Sequence, residues 1–149
     1  MIEMNAGQIT MPLQPAFLVR PSGTQSSIAT NNTIAFGTEV FDQNADFASN
    51  TFTAPIAGRY QLNVNLRINN TDQAAAYSRI YLATSNRNFE TIFSIGGLSG
   101  DPAYWTFNIN VLADMDASDT AYVKWSQSGG SSQANIQPNE ASFSGYLVA

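Results

Sequence analysis

The chain contains neither cysteine nor histidine among its 149 residues. The absence of cysteine excludes disulfide bonds, thiolate metal sites and a cysteine nucleophile. The absence of histidine removes the most common general base and the usual serine triad, and no serine lies in a Gly-x-Ser-x-Gly motif. The sequence therefore predicts a protein that is not an enzyme and that carries no cofactor or metal.

Charged residues are also scarce, at 11% of the chain against about 25% in an average soluble domain. With six basic residues and a net charge of −5, nucleic acid is not an expected partner. No run of about 18 apolar residues is present, so no membrane span is expected, and the first residues lack the pattern of a secretory signal. Side chains with amides and hydroxyls take the place of the missing charged residues. This composition indicates either a surface kept soluble by these polar groups or a surface that other subunits cover.

A regular alternation of apolar and polar residues runs from Arg59 to Asn69. One side carries Tyr60, Leu62, Val64, Leu66 and Ile68, and the other carries Gln61, Asn63, Asn65, Arg67 and Asn69. This period of two predicts a half-buried strand of an antiparallel sheet. Pro55 and Gly58 form a turn before the strand, and we expect Gly58 to supply a backbone conformation that a side chain resists.

Further strand patterns lie near residues 16–20, 34–41, 77–85, 89–95, 104–113, 120–127, 132–137 and 142–148. Segments rich in Gly, Pro, Asn and Ser separate them, and no segment of helical period reaches about ten residues. We therefore predict an all-β sandwich or jelly roll. Its inward positions are predicted to be Ile80, Leu82, Trp105, Ala121, Val123, Trp125, Phe143 and Leu147.

The order of several short motifs resembles the complement C1q globular head, a relative of the tumour necrosis factor fold. The central motif is Phe52-Thr53-x-Pro55-x-x-Gly58-x-Tyr60-x-Leu62, preceded by Asp42, Asn44 and Phe47, and the others are Pro15-x-Phe17, Asp119 to Val123 and Phe143-x-Gly145-x-Leu147. The resemblance covers residues 15–149 and implies a jelly-roll β-sandwich that assembles as a homotrimer and presents a rigid surface to a partner. Such heads occur on secreted animal proteins, in bacteria and on phage virions, and this chain is similar to a phage or bacterial member.

The outward positions of three predicted strands carry many aromatic side chains. These positions are Tyr77, Arg79 and Tyr81, then Tyr122 and Lys124, then Tyr146 and Val148. The resemblance implies that the three strands share the inner sheet, which packs around a three-fold axis in the family. We therefore predict that this set forms the homotrimer interface. The alternative is a monomer with tyrosines scattered on its surface.

Residues 1–14 are predicted to form an arm, and residues 15–149 the C1q-like domain. The arm carries Ile2, Met4, Ile9, Met11 and Leu13 with little charge, which indicates that it docks on its own trimer or on a neighbouring protein. We expect a virion protein, made in the host cytoplasm, that decorates (cements) a phage capsid at its three-fold positions. Its partner would be the major capsid protein or another virion protein. The alternative is a receptor- or glycan-binding tip of a phage fibre or spike, or a place on a cell surface.

Two acidic clusters have part of the spacing of a calcium-binding loop. Asp42, Asn44 and Asp46 occupy the first, third and fifth positions of an EF-hand loop, but its glycine and final glutamate are missing. The segment 114–119 fails in the same way. We favour carboxylates that cap turns over a calcium site.

Two weaker alternatives rest on the loops. A carboxylate glycosidase would use Asp114 or Asp116, yet a small solid sandwich offers no obvious cleft. A sugar or a receptor would contact Asn86, Arg87 and Asn88, together with the loop 100–104.

Overall fold

The computed structural model describes the backbone of residues 3–5 and 7–149, and the side chains of residue 7 and residues 11–149. These residues form strands and turns but no helix, and so none that is long and apolar enough to cross a membrane. The strands are β1 (Glu3–Asn5), β2 (Gln8–Thr10), β3 (Ala16–Arg20), β4 (Asn32–Thr33), β5 (Thr38–Asp42), β6 (Phe47–Ala48), β7 (Thr51–Thr53), β8 (Gly58–Asn69), β9 (Tyr77–Thr84), β10 (Asn88–Phe93), β11 (Tyr104–Met115), β12 (Thr120–Ser128) and β13 (Asn135–Leu147).

Two antiparallel sheets pack against each other around one core. The five-stranded sheet has the order β11-β8-β13-β3-β5. The six-stranded sheet has the order β10-β9-β12-β7-β6, with β4 also paired to β12. β1 and β2 form a separate hairpin. This arrangement confirms the all-β jelly-roll prediction.

The alternation that is longest in the sequence builds β8, which has a partner strand on each side in the five-stranded sheet. Every second side chain from Tyr60 to Ile68 is at most 1% exposed. Burial of each such side chain contributes about 1.5–3 kcal/mol to folding. β11 pairs with β8 along its whole length and β13 lies on its other side, so the polar side chains of β8 all point outward.

Aromatic rings join the two sheets. Phe17 of β3 stacks on Phe52 of β7 with ring centroids 4.7 Å apart, and Phe143 of β13 meets Phe17 edge-on at 5.0 Å. Trp125 of β12 is fully buried and lies edge-on to Phe107 at 6.0 Å. The predicted inward positions are thus confirmed: all are buried except Trp105 and Leu147, which pack partly buried against the core.

Close packing, and not backbone conformation, explains the glycines of the two main motifs. An added Cβ at Gly145 would lie 2.6 Å from Leu62 Cδ2 and 2.8 Å from Phe17 Cε1, and one at Gly58 would lie 2.7 Å from the carbonyl oxygen of Ala149. Gly58 does not have a positive φ. The expectation that its backbone conformation excludes a side chain is therefore wrong, and the C-terminal backbone excludes it instead.

The last strand is single and bulged, whereas the sequence predicted two strands. The register of β13 with β8 shifts between Ile136 and Ala141. Pro138 lies in this irregular stretch, where its missing N–H removes no ladder bond. Of the strand predicted at 34–41, only the part within β5 forms regular strand structure. Ile34 and Phe36 are buried in the core, but the backbone that carries them is irregular.

Candidate functional surfaces

A row of aromatic and cationic side chains lies on the outer face of the six-stranded sheet. The alternation of β9 turns Ile80 inward and leaves Tyr77, Arg79 and Tyr81 outside. The Cζ of Arg79 lies 5.1 Å from the ring centroid of Tyr77 and 4.4 Å from that of Tyr81. Its guanidinium also pairs with Glu90 of β10 at 3.3 Å. These contacts hold the tyrosine rings in place, and we call this surface, with Tyr122 and Lys124 of β12, the aromatic–cationic face.

A depression lies on this face around Ala83. The pairing register places Ala83 directly opposite Tyr122 of β12 and Asn88 of β10. Because the alanine methyl is much shorter than its neighbours, it floors a hollow of about 220 Å³ lined by Asn31, Tyr81, Ala83, Asn88, Tyr122 and Lys124. Lys124 lies opposite Tyr81, and its Nζ is 5.3 Å from the ring centroid of Tyr122.

The outer face of the five-stranded sheet has an uncharged centre, which we call the amide face. It consists of Asn63 and Asn65 on β8, Asn108 and Asn110 on β11, and Ser142 and Ser144 on β13. The register sets them in two rows across the three strands. Ion pairs lie at the ends of the face, between Arg67 and Glu140 at 3.3 Å and between Arg87 and Asp114 at 2.8 Å.

Apolar side chains flank the amide face. Leu112 of β11 and Tyr146 of β13 both lie opposite Gln61, and they are 54% and 48% exposed. Val148, just after β13, is 49% exposed. Tyr146 also lines a hollow of about 300 Å³ with Met11, Gln14, Ala16 and Gln43. The margin nearest the arm is therefore apolar.

A second apolar surface lies at the edge of the sandwich where β10 and β11 meet, and we call it the β10–β11 edge. The Thr91 hydroxyl donates to the Asn108 carbonyl at 2.9 Å, and the rings of Phe93 and Trp105 lie 4.3 Å apart, so the two sheets are joined here. Three large side chains at this edge remain exposed, namely Ile92, Phe93 and Tyr104.

The residues predicted for the trimer interface do not share one sheet. Tyr77, Arg79, Tyr81, Tyr122 and Lys124 belong to the six-stranded sheet, whereas Tyr146 belongs to the five-stranded sheet and Val148 follows it. The expectation that their three strands form one inner sheet is wrong. Alternation reports which side chains share the face of a strand, but it carries no information on which strands pair at long range.

Two polar side chains hold the base of the predicted arm. Gln43 Nε2 donates to the carbonyls of Met11 and Pro12 at 3.0 and 2.8 Å, and Asn44 Nδ2 donates to that of Leu13 at 3.1 Å. The Met11 and Leu13 side chains are left 48% and 66% exposed. Of the other predicted anchoring residues, Ile2 lies outside the described residues, and so do the side chains of Met4 and Ile9.

The first acidic cluster caps a turn, which confirms the predicted capping role of its carboxylates. The Asp42 carboxylate accepts the backbone N–H groups of Asp46 and Phe47 at 3.0 and 2.9 Å. Burial raises the pKa of the Asp46 carboxyl, and the neighbouring Asp42 charge raises it further. Asn44 is used elsewhere, on the arm.

The second acidic cluster is likewise occupied by local contacts. Asp119 Oδ2 accepts the backbone N–H of Asp116 at 2.8 Å and Nδ2 of Asn86 at 3.1 Å, while Asp114 pairs with Arg87. Two of the predicted loop contacts thus serve this turn. Within residues 11–149, no three acidic side chains are grouped closely enough to hold a metal ion.

Comparison with known proteins places these surfaces on a shared fold. The globular domain of zebrafish complement 1qA protein matches with a TM-score of 0.67 at 15% identity, over 91% of this chain and 98% of that one. Murine APRIL at pH 5.0 gives 0.62 at 13% identity over 91% and 99%, and Eiger TNF from S. frugiperda gives 0.68 at 10% over 91% and 92%. No curated protein matches by sequence. The model of the C1q domain matches residues 16–148, and the chain therefore belongs to the C1q domain family.

Proposed function

We propose that this C1q domain is a homotrimeric, non-enzymatic binding module whose copies pack through the amide face. The observation that carries the proposal is the distribution of charge on the five-stranded sheet. Its ion pairs lie at the ends, and its centre has amides and hydroxyls flanked by exposed Leu112 and Tyr146. Protein interfaces are depleted of charge at their cores in this way.

A closed ring of three requires two different, complementary patches on each copy. The amide face is one of them. The β10–β11 edge supplies the other, with Ile92 51%, Phe93 37% and Tyr104 64% exposed. In the proposed trimer the edge of one copy packs against the amide face of the next, which covers both surfaces and leaves the aromatic–cationic face open.

The amides must find partners in such a trimer, because an unpaired buried amide costs about 1–3 kcal/mol. Part of their capacity is used within the chain: Asn63 Oδ1 accepts from Gln61 Nε2 at 3.0 Å, and Asn65 Nδ2 donates to the Glu140 carbonyl at 3.2 Å. The remaining donors and acceptors are available to neighbouring copies. Pairing across the axis would fix the mutual orientation of the three subunits.

The test replaces one amide with a carboxylate of the same shape. Asn63→Asp brings three like charges close to the axis of the proposed trimer, so we expect association to weaken at least ten-fold, roughly the cost of one like-charge contact. Sedimentation equilibrium and light scattering measure this. Asn32→Asp, an exposed position on β4, adds the same charge elsewhere and should leave the trimer intact. A wild-type chain that is monomeric at micromolar concentration contradicts the proposal.

The preferred role of the trimer is decoration of a phage capsid, with the arm as anchor. The exposed Met11 and Leu13, tied down by Gln43 and Asn44, support this role, because they present apolar groups at a fixed place on each copy. Three such anchors on a three-fold position multiply weak contacts through avidity.

A shell-binding assay tests the arm. Shells assembled from the capsid protein encoded with this chain would be mixed with the wild type, with a deletion of residues 1–10, or with the double variant Met11→Ser/Leu13→Ser. Both variants should bind at least ten-fold more weakly, whereas Ile56→Ser removes an equally exposed apolar group elsewhere and should not. Equal binding by all four proteins would contradict the anchoring role.

The second candidate role is recognition of a receptor or glycan, as at the tip of a fibre or spike. The hollow around Ala83 favours it, because aromatic, amide and cationic groups converge there on a face that the proposed trimer leaves open. Binding of the isolated protein to host cells or to a glycan array would support this role over decoration.

A further inference from the structure

We infer that the hollow around Ala83 is a binding site for a single carboxylate-bearing sugar unit, such as a uronic acid. This inference names the ligand class of the recognition role above and does not depend on a capsid. It rests on the shape of the hollow, on its polar groups and on its charge.

The shape follows from one small residue. On β9, Arg79 and Tyr81 are large, and the next outward position is Ala83. Its cross-strand neighbours Tyr122 and Asn88 stand on either side, so the methyl group becomes the floor of a hollow of about 220 Å³. Pockets for drug-sized ligands measure about 300–1,000 Å³, so this one suits a single ring.

The walls combine apolar and polar surface as a sugar requires. The rings of Tyr81 and Tyr122 offer apolar area and hydroxyl groups, and Asn31 and Asn88 offer amide donors and acceptors. Among the described residues, every hydrogen bond between two side chains is made by other groups. No neighbouring side chain of the described residues therefore occupies these amides and hydroxyls.

The charge of the hollow selects an acid. Lys124 is the only lysine, arginine, aspartate or glutamate in its lining, and it forms no ion pair with any described residue. Glu90, which lies opposite Tyr81, is already paired with Arg79. In a chain of net charge −5, an unpaired ammonium beside two tyrosines is a site for an anion. A ring carboxylate would accept a charge-assisted hydrogen bond from Lys124.

The test compares sugars that differ only in the carboxylate. Saturation-transfer NMR on the full chain would measure methyl glycosides of glucuronic and galacturonic acid, their neutral counterparts, and acetate. We expect the acids to bind at least ten-fold more tightly than the neutral sugars, which lack the charge-assisted bond to Lys124. We also expect them to bind more tightly than acetate, which has the carboxylate but no ring to contact Tyr81, Tyr122 and the amides. Binding of acetate as tightly as of the uronides would overturn the sugar assignment.

Three variants locate the site. Ala83→Leu fills the hollow and should abolish binding, and Lys124→Gln should weaken the acids about ten-fold while leaving any neutral sugar unchanged. Arg59→Gln, a matched charge loss on the other sheet, should have no effect. If Ala83→Leu fails to fold, Tyr122→Ala takes its place. No detectable binding of any uronide by the wild type, or equal binding by Lys124→Gln, would overturn the inference, and the oligomeric state, measured separately, would still judge the trimer.

Discussion

The two outer faces of the sandwich arise from the same alternation of residues but carry different chemistry. The amide face keeps its centre free of charge and has apolar Leu112 and Tyr146 beside it. The aromatic–cationic face places Arg79 between two tyrosines and Lys124 beside a third. A face that is covered by identical copies needs self-pairing groups, whereas a face that binds a foreign ligand needs unpaired ones. This difference supports the proposed division between an assembly face and a recognition face on one small domain.

The largest expected effect concerns the core that both faces share. Gly145→Val would drive a side chain into Leu62 and Phe17, where even a Cβ would lie 2.6 and 2.8 Å away. We expect the free energy of unfolding to fall by about 1–3 kcal/mol or more. Gly97→Val is the control, since nothing lies within 4 Å of an added Cβ there. Urea unfolding measures both, and equal losses would show that crowding is not the reason for the glycine at 145.

The next prediction separates the two faces directly. Tyr146→Asp places a charge at the margin of the amide face, and we expect trimer association to weaken by at least about 2 kcal/mol, the loss typical of an interface hot spot. Tyr122→Asp makes the same change on the aromatic–cationic face and should leave association unchanged. Sedimentation equilibrium at several concentrations measures both. Dissociation by Tyr122→Asp and not by Tyr146→Asp would reverse the assignment of the faces.

A smaller effect on stability is expected from replacing either of two arginines that have similar surroundings. Arg79 lies between Tyr77 and Tyr81 and pairs with Glu90, whereas Arg67 lies 5.0 Å from the single ring of Tyr104 and pairs with Glu140. Cation–π contacts contribute about 0.5–1 kcal/mol at exposed sites, and exposed ion pairs about 0–1 kcal/mol. In monomeric protein, Arg79→Gln should therefore cost about 0.5 kcal/mol more than Arg67→Gln. Thermal unfolding measures both, and the difference should persist at high salt, which screens the exposed ion pairs that the two arginines have in common.

The sequence predicts more of the fold than of the surfaces. Alternation and turn residues suffice to place β8, β9, β11 and β12 and to assign their inward side chains, since both are local properties. The order of strands in a sheet is not a local property. For this reason the sequence wrongly places the strand of Tyr146 in the same sheet as those of Tyr77 and Tyr122. The hollow around Ala83 does not follow from the sequence because it depends on cross-strand neighbours: the sequence predicts Asn88 only as a loop contact, and Tyr122 and Lys124 only as interface residues. The one signal in the sequence is the small residue Ala83, which lies between Tyr81 and the turn at Ser85. It indicates a hollow only once the register of the neighbouring strands is known.

The smallest effects lie in the turns where the chain crosses from one sheet to the other. Asp72, between β8 and β9, accepts the backbone N–H groups of Ser131 and Ala74, which lower its pKa from the ordinary 3.8. Asp46, between β5 and β6, has a pKa raised by burial and by Asp42. The folded state therefore favours the ionised Asp72 and the protonated Asp46. Stability due to Asp72 is present above its unfolded pKa and is lost as pH falls through the lower folded value.

The sign for Asp46 is opposite: its penalty is present above the raised pKa and is relieved as pH falls below it. Asp72→Asn should thus lower the melting temperature near about pH 7, and this effect should fade as pH falls below the unfolded pKa of Asp72. Asp46→Asn should raise the melting temperature near about pH 7, and this effect should fade as pH falls below the raised pKa of Asp46. Thermal unfolding across this range measures both. If the two variants shifted the melting temperature in the same direction near neutrality, the predicted opposite contributions of Asp72 and Asp46 would be contradicted. Opposite shifts would show that the ionised carboxylate of Asp72 stabilises its turn, whereas the ionised carboxylate of Asp46 destabilises its turn.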